Sequence, residues 1–385
     1  MPSSSPSPTT TTAPPPPPGP GPSPSPSPLP LILVTGASGF LGSHICAQLL
    51  LTGQYRVRAA VRSTARSAWL ERHFASSSYP SSPSPSSSHP SFSLTQVPDM
   101  SVPGAYDDAV RGVDGVVHVA SVMDDDGGRD GGARAVVAAV VRGAVGALGS
   151  AAREWEGRGK GKCFVYTSSS LAAYTPGVEG GRVDGETWNG GAVGRAYAAG
   201  GEGEEEDVAA RAMDVYAASK VEAERAVWAW VADNGPAFRV NAVLPNVNFG
   251  RSLDPANQGH PTTSGWVVAL ATGRVPEHRW RTVVPQYYIN VEDTARLHVA
   301  ALTRPDLNGE RIFGFAGRFN WNTLLRALRK MYPEKTFYDD RDGQGEDLSE
   351  IVGAAKAEQL LKDMGRPGWK GLEESLRENL EGVDL

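Results

Sequence analysis

The 385-residue chain has only two cysteines, Cys46 and Cys163. Two cannot build the disulfide framework that staples small secreted domains, and a chain of this length can bury a core without one. Both lie in apolar runs and read as buried free thiols of a reducing, cytoplasmic compartment. Basic charge is not in excess: 37 Lys and Arg stand against 43 Asp and Glu, a net charge of −6. That balance argues against nucleic acid or an anionic membrane surface as the main partner. No apolar run reads as long enough to span a membrane, because glycine and arginine interrupt the longest alanine-rich stretch, near residues 133–152. The first residues lack the basic start and apolar centre of a secretory signal, and the arginines of a transit peptide. No metal is expected.

Three segments are too polar or too low in complexity to join a core. Residues 1–28 are almost all Pro, Ser and Thr and are expected to be disordered. Residues 76–91 form a Ser/Pro-rich insertion. Residues 175–212 form a Gly-, Ala- and Glu-rich one, whose run Glu204-Glu205-Glu206-Asp207 reads as a solvated loop.

Between these segments, strand and helix patterns alternate. Leu31 to Val34 reads as a buried strand and Tyr55–Val61 as a second, followed by a helix from Thr64 to Ala75. Phe92–Val97, Asp114–Ala120, Lys162–Thr167 and Phe238–Leu244 read as four more strands, with a long helix around 133–155. Further helices are predicted at 291–303, 320–331, 354–364 and 371–381. This alternation predicts an α/β fold of Rossmann type, a doubly wound parallel sheet, with a smaller C-terminal substrate-binding region. The division is 29–250 for the dinucleotide-binding part and 251–385 mainly for substrate.

The first strand runs into Thr35-Gly36-Ala37-Ser38-Gly39-Phe40-Leu41-Gly42 and then a helical pattern through Ile45 and Leu49. Strand, glycine turn, helix is the context in which glycines cradle a pyrophosphate. Gly36 allows the tight turn, Gly39 lets the backbone approach the phosphates, and Gly42 lets helix pack on strand. NAD-binding folds place an acidic residue at the end of the second strand for the ribose 2′-hydroxyl. Here the strand ends Val61-Arg62-Ser63, with Arg66 one turn later and no carboxylate. Guanidinium groups there suit a 2′-phosphate, which points to NADP(H).

Tyr216 and Lys220 are four apart at the start of a helical stretch, so they share a face. A neighbouring ammonium would lower the phenol pKa and make Tyr216 a usable acid. The fifth strand ends Tyr166-Thr167-Ser168-Ser169-Ser170, placing serine hydroxyls at the carboxyl end of the sheet, where one can hold a substrate carbonyl. The residues leave Ser168, Ser169 and Ser170 open as that serine.

Together, Thr35-Gly-x-x-Gly-Phe-x-Gly42, Gly112-Val-Asp-Gly-Val-Val-His-Val-Ala-Ser121, Tyr216-x-x-x-Lys220, Ala242-Val-Leu-Pro-Asn-Val247 and Ile289-Asn-Val-Glu-Asp-Thr-Ala295 resemble the extended short-chain dehydrogenase/reductase family. The likeness is to its dihydroflavonol-4-reductase-like branch, near the fungal aldehyde and methylglyoxal reductases. It runs from residue 31 nearly to the end, where Ala357-Glu-Gln-Leu-Leu361 resembles the closing helices. The resemblance implies Ser169 as the catalytic serine with Ser170 second, and Tyr216 and Lys220 as its partners. It implies cofactor contacts from Phe40, Leu41, Asp99, Met100, Ala120, Ser121, Thr167, Pro245, Asn246 and Val247, with Lys220 also holding the nicotinamide ribose. Two departures stand out. The gap between Ser169 and Tyr216 is long, and Gly143 to Gly146 replaces the Thr and Asn of relatives. The function so implied is NADPH-dependent reduction of a small aldehyde or ketone by a monomer or homodimer. The alternatives on the same motifs are a sugar-nucleotide epimerase or dehydratase, and a non-catalytic NADP-binding sensor.

Overall fold

The computed structural model describes residues 1, 28–76, 79, 91–122, 132–177, 179–198 and 208–385. The disorder expected of residues 1–28, most of the 76–91 insertion and the acidic run 204–207 fall outside the described residues.

β1 (Leu31–Thr35), α1 (Phe40–Leu51) and β2 (Arg56–Val61) follow the predicted order. The helix predicted from Thr64 divides into α2 (Thr64–Ser67) and α3 (Trp69–Phe74), and β3 (Phe92–Gln96) and β4 (Gly115–His118) come next. α4 (Gly132–Glu154) then leads to β5 (Cys163–Thr167). The insertion contributes β6 (Arg182–Val183) and α5 (Gly190–Tyr197) before the long α6 (Val208–Asn234), β7 (Arg239–Pro245) and β8 (Val247–Phe249). The C-terminal part contains α7 (Pro255–Gln258), α8 (Ser264–Ala271), α9 (Glu277–Thr282), β9 (Gln286–Asn290) and α10 (Val291–Thr303). It ends with β10 (Arg311–Gly314), β11 (Gly317–Phe319), α11 (Trp321–Met331), β12 (Glu350–Ile351), α12 (Ala354–Asp363) and α13 (Leu372–Asn379).

Seven strands form one parallel sheet in the order β10-β7-β5-β4-β1-β2-β3. The chain steps outward from β1 to β3, returns to the other side of β1 as β4, and continues outward. The order therefore reverses between β1 and β4, and at such a switch point the strand ends leave a crevice. The central strands β1, β4, β5 and β7 are buried on both faces, as helix-covered parallel strands are, whereas the edge strand β3 is only half-buried. Ile32 and Val34 of β1 pack with α1, α10 and α12. Leu31 and Leu33 pack on the opposite face with α4 and α6. A third cluster joins Phe249, Leu270, Phe319, Trp321 and Leu376 in the C-terminal part.

Two expectations are corrected. α4 has 23 residues and is long and apolar enough, by length and composition, to cross a membrane. In the fold its Val140, Ala144, Ala147, Leu148 and Ala151 are buried against the sheet core, so its apolarity has a packing cause. The 175–212 insertion, expected to stay out of the core, contributes to it. β6 pairs with β12, and Val183, Asn189, Ala192 and Ala196 are buried.

Candidate active site

The glycine turn has the geometry its spacing implies. Gly36 has φ +63°, a left-handed conformation that glycine adopts without strain. A Cβ there would lie 2.9 Å from the Ala120 nitrogen, so the turn packs directly on the end of β4. A Cβ on Gly42 would collide with the Gly36 carbonyl oxygen and lie 2.8 Å from its carbon. Gly39 has an ordinary φ of −78°, and a Cβ there would meet only the Gly36 oxygen, at 3.3 Å. The constraint at Gly39 is therefore the space beyond it. Gly39 is the N-cap of α1, and no side chain caps the helix. The amides of Phe40 and Leu41 are thus left for an anion.

Side chains beside and beyond the glycines hold the turn open. Thr35 Oγ1 accepts from the amides of Val119 and Ala120, each at 3.0 Å, and shares a 3.0 Å hydrogen bond with His118 Nδ1. The Gln258 amide donates to the carbonyls of Ser38 (3.1 Å) and Gly39 (3.3 Å) and to Ser43 Oγ (3.1 Å). The carbonyls of the turn are thereby drawn toward a C-terminal side chain. Thr35 opens the motif, but its contacts with β4 carry no local signal, and Gln258 carries none at all, since each acts on backbone atoms distant in the chain.

At the end of β2, Arg62 and Arg66 are exposed. Ser63 caps α2 by accepting from the Arg66 amide. Asp99 is exposed and accepts from the Ser101 amide (2.8 Å) and hydroxyl (2.7 Å), which hold its carboxyl below the usual range. Met100 lies over Gly143, where a Cβ would be 2.5 Å from the Met100 methyl. The small residue at position 143 therefore has a local packing cause. Ala120 and Ser121 are half-buried, and Ser121 Oγ has no hydrogen-bond partner among the described residues. An uncapped helix start, open space at Gly39 and an orphaned hydroxyl beyond β4 fit a dinucleotide laid across the switch point.

α6 carries Tyr216 and Lys220 to the carboxyl end of β5. Lys220 is buried, and its Nζ donates to the Thr167 carbonyl at 3.1 Å. It lies over the faces of Tyr216 and Tyr166, 5.8 and 5.7 Å from the ring centroids. Burial lowers its pKa to about 8, opposed by the Glu224 carboxylate. Burial raises the Tyr216 pKa above its ordinary value, and a hydrogen bond with Ser169 opposes that rise. This differs from the sequence expectation that the lysine is what lowers it: the Lys220 nitrogen is directed to a backbone carbonyl.

The serines at the strand end divide by direction. Ser168 donates to Glu224 at 2.6 Å. Ser169 Oγ accepts from the Leu171 amide at 3.2 Å and faces Tyr216. Ser170 begins a single 3₁₀ turn. The Thr167 side chain turns to the opposite side and meets His298 Nε2 at 2.8 Å. The Thr294 carbonyl accepts from His298 Nδ1 at 2.8 Å, so Nε2 accepts from the Thr167 hydroxyl. Only the Thr167 backbone serves the site.

Pro245 closes β7 and Val247 opens β8, both buried. The Asn246 side chain donates to the Tyr174 hydroxyl at 2.9 Å, and that hydroxyl donates to buried Asp347 at 3.0 Å. A cavity of about 260 Å³ lies beside Tyr174, with Arg182, Trp188, Asn189 and Ser349 among its walls. The insertion and the C-terminal part thus meet beside Tyr174, in the turn that follows the strand-end serines.

Comparison with known proteins agrees with this geometry. Residues 32–313 match the profile of the NAD dependent epimerase/dehydratase family. The chain is 39% identical over 349 residues to aldehyde reductase 2 of Sporidiobolus salmonicolor, covering 90% of this chain and 94% of that protein. It is 32% identical over 351 residues to the ketoreductase adrE of Penicillium roqueforti, covering 91% and 95%. The structure of yeast methylglyoxal/isovaleraldehyde reductase Gre2 complexed with NADPH shares the fold, with a TM-score of 0.70 at 23% identity over 91% of this chain and 97% of that one. Alfalfa vestitone reductase does so with a TM-score of 0.65 at 22% identity, again over 91% and 97%. The chain belongs to the NAD-dependent epimerase/dehydratase family, the extended short-chain dehydrogenase/reductases.

Proposed function

We propose that the chain is an NADPH-dependent reductase that converts a small aldehyde or ketone to an alcohol. The observation that carries the reading is the meeting of Ser169, Tyr216 and Lys220 at the carboxyl end of β5. The names of the 39% and 32% identical relatives, an aldehyde reductase and a ketoreductase, favour the same chemistry. Bound NADPH supplies the hydride. Gly36 and Gly39 with the amides of Phe40 and Leu41 would hold the pyrophosphate, with Gly42 letting α1 pack close enough to present them, and Arg62 and Arg66 would hold the 2′-phosphate. Asp99, Met100, Ala120 and Ser121 line the adenosine side. The Thr167 backbone, Pro245, Asn246 and Val247 line the nicotinamide side.

Ser169 donates a hydrogen bond to the substrate oxygen as negative charge develops there. Tyr216 Oη gives that oxygen its proton. The Lys220 ammonium, oriented by the Thr167 carbonyl, holds the nicotinamide ribose beside Tyr216. The proposal assigns cofactor binding mainly to residues 29–250 and substrate binding mainly to 251–385, with Gln258 reaching back across that division. A cytoplasmic monomer or homodimer with no membrane attachment completes it, and two buried free thiols favour a reducing compartment. The test is NADPH oxidation followed by absorbance with a panel of aldehydes, diketones and hydroxyketones. Turnover with NADPH well above that with NADH is expected. Tight NADPH binding with no reduction across the panel would overturn the reading.

A further inference from the structure

Glu224 lies one helical turn beyond Lys220 on the buried face of α6 and is fully buried. Its carboxylate accepts four hydrogen bonds from three elements. It accepts from Ser168 Oγ of the β5 end at 2.6 Å and from Trp228 Nε1 of its own helix at 3.1 Å. It accepts from Arg311 Nε of β10 at 2.7 Å and from a second Arg311 nitrogen at 3.3 Å. Arg311 in turn donates to the carbonyls of Gly185 and Thr187 in the insertion, at 2.9 and 2.8 Å. It also lies over the Trp188 ring, 4.0 Å from its centroid. A buried charge pair this fully hydrogen-bonded contributes little net stability over an apolar pair of similar shape, so stability alone does not account for it.

We infer that Glu224 is a positioning residue for the proposed reduction, setting the Ser168–Ser169 strand end and placing its charge behind Lys220 without touching cofactor or substrate. This rests on the reductase reading for its turnover consequence, but not for its binding consequence. The groups facing Lys220 are Glu224 and Tyr216 on α6, Tyr166 on β5 and His118 on β4. Burial takes His118 down to about 3 and raises both tyrosines above their ordinary values. Burial brings Lys220 itself down to about 8, within neutral to mildly alkaline pH. Glu224 is the anion that keeps it protonated there.

The test is NADPH affinity of the full chain, measured by fluorescence titration from pH 6 to 9.5. For the parent, affinity is expected to fall as pH rises through about 8. Glu224→Gln removes the anion and keeps the shape, so the midpoint moves down. A midpoint lower by about one pH unit leaves affinity near the parent's at pH 6 and about tenfold weaker at pH 9. Because this variant leaves Arg311 without its counter-charge, Glu224→Gln/Arg311→Met is measured beside it and should move the midpoint in the same direction by less, since a more distant cation goes with the anion. Glu224→Asp should restore most of the parent profile. A parent-like pH profile in either charge-removing variant overturns the Lys220 part of the inference. Ser168→Ala keeps every charge and deletes one oxygen. It should keep the parent's NADPH pH profile and lose about tenfold in turnover, the order expected of a slightly misplaced reacting group. Parent turnover in Ser168→Ala overturns the strand-end part. A parent chain that binds NADPH and reduces nothing would refute the reductase reading and leave the binding test intact.

Discussion

Arg62→Ala is expected to weaken NADPH binding and leave NADH binding nearly unchanged. Arg62 follows β2, two residues beyond Ala60, the partner of Thr35 at the end of β1. It therefore stands beside the strand that feeds the glycine turn, where the adenine ribose of a dinucleotide belongs. A hydrogen bond to a charged group is worth about 1.5–3 kcal/mol. Both guanidinium groups are exposed, so solvent screening places each at the low end, near 1.5 kcal/mol. That is about a tenfold rise in Kd for NADPH. Arg66→Ala should act in the same direction. The double variant should lose less than the product of the two, because both groups serve one phosphate and their effects are coupled. The assay is fluorescence titration of each variant with NADPH and NADH. Equal loss for both cofactors would refute the 2′-phosphate assignment.

Two glycine substitutions separate cradle from packing. Gly39→Ala should fold with only a small loss in Tm, since its φ is ordinary and its Cβ meets one carbonyl at 3.3 Å at the start of α1, yet lose NADPH binding. Gly42→Ala should lose stability with or without cofactor, because its Cβ collides with Gly36 backbone. The reverse pattern in thermal melts and titrations would contradict both roles. Acid should destabilise the fold early. His118 titrates at about 3 and His298 at about 4 in the native protein, against 6.5 unfolded, and burial lowers His44 as well. Below pH 6.5 the unfolded chain takes up protons that the native state refuses, so stability is held above pH 6.5 and lost as pH falls toward 4. A tenfold difference in proton affinity between the two states is worth about 1.4 kcal/mol, so the loss should reach several kcal/mol. A Tm by circular dichroism that stays flat between pH 7 and 4.5 would contradict this.

The parts of the fold that were legible in the sequence are those written in local patterns. β1, the glycine turn and α1 are contiguous, and Tyr216 and Lys220 share a helix face by spacing alone. The helices predicted at 291–303, 320–331, 354–364 and 371–381 occur at Val291–Thr303, Trp321–Met331, Ala354–Asp363 and Leu372–Asn379. The seventh sheet strand, Arg311–Gly314, was not legible, because four residues following a loop carry too little pattern. Side-chain direction was not legible either. Three consecutive serines look alike in sequence, and only the fold sends Ser168 to Glu224 and turns Ser169 toward Tyr216. The Gln258 and Asp347 contacts join segments far apart in the chain. Glu224 left one trace, an acid four residues after Lys220 and eight after Tyr216 on the same helix face.

The central claim is that Tyr216 protonates the substrate oxygen, and Tyr216→Phe tests it most directly. The substitution removes one oxygen and keeps the ring beneath Lys220, so Tm and NADPH affinity should match the parent. General acid catalysis contributes typically 10²–10⁴-fold, and single-turnover NADPH oxidation with an aldehyde the parent reduces should slow by about that factor. A folded Tyr216→Phe protein that binds NADPH and reduces the aldehyde at the parent's rate would contradict the account.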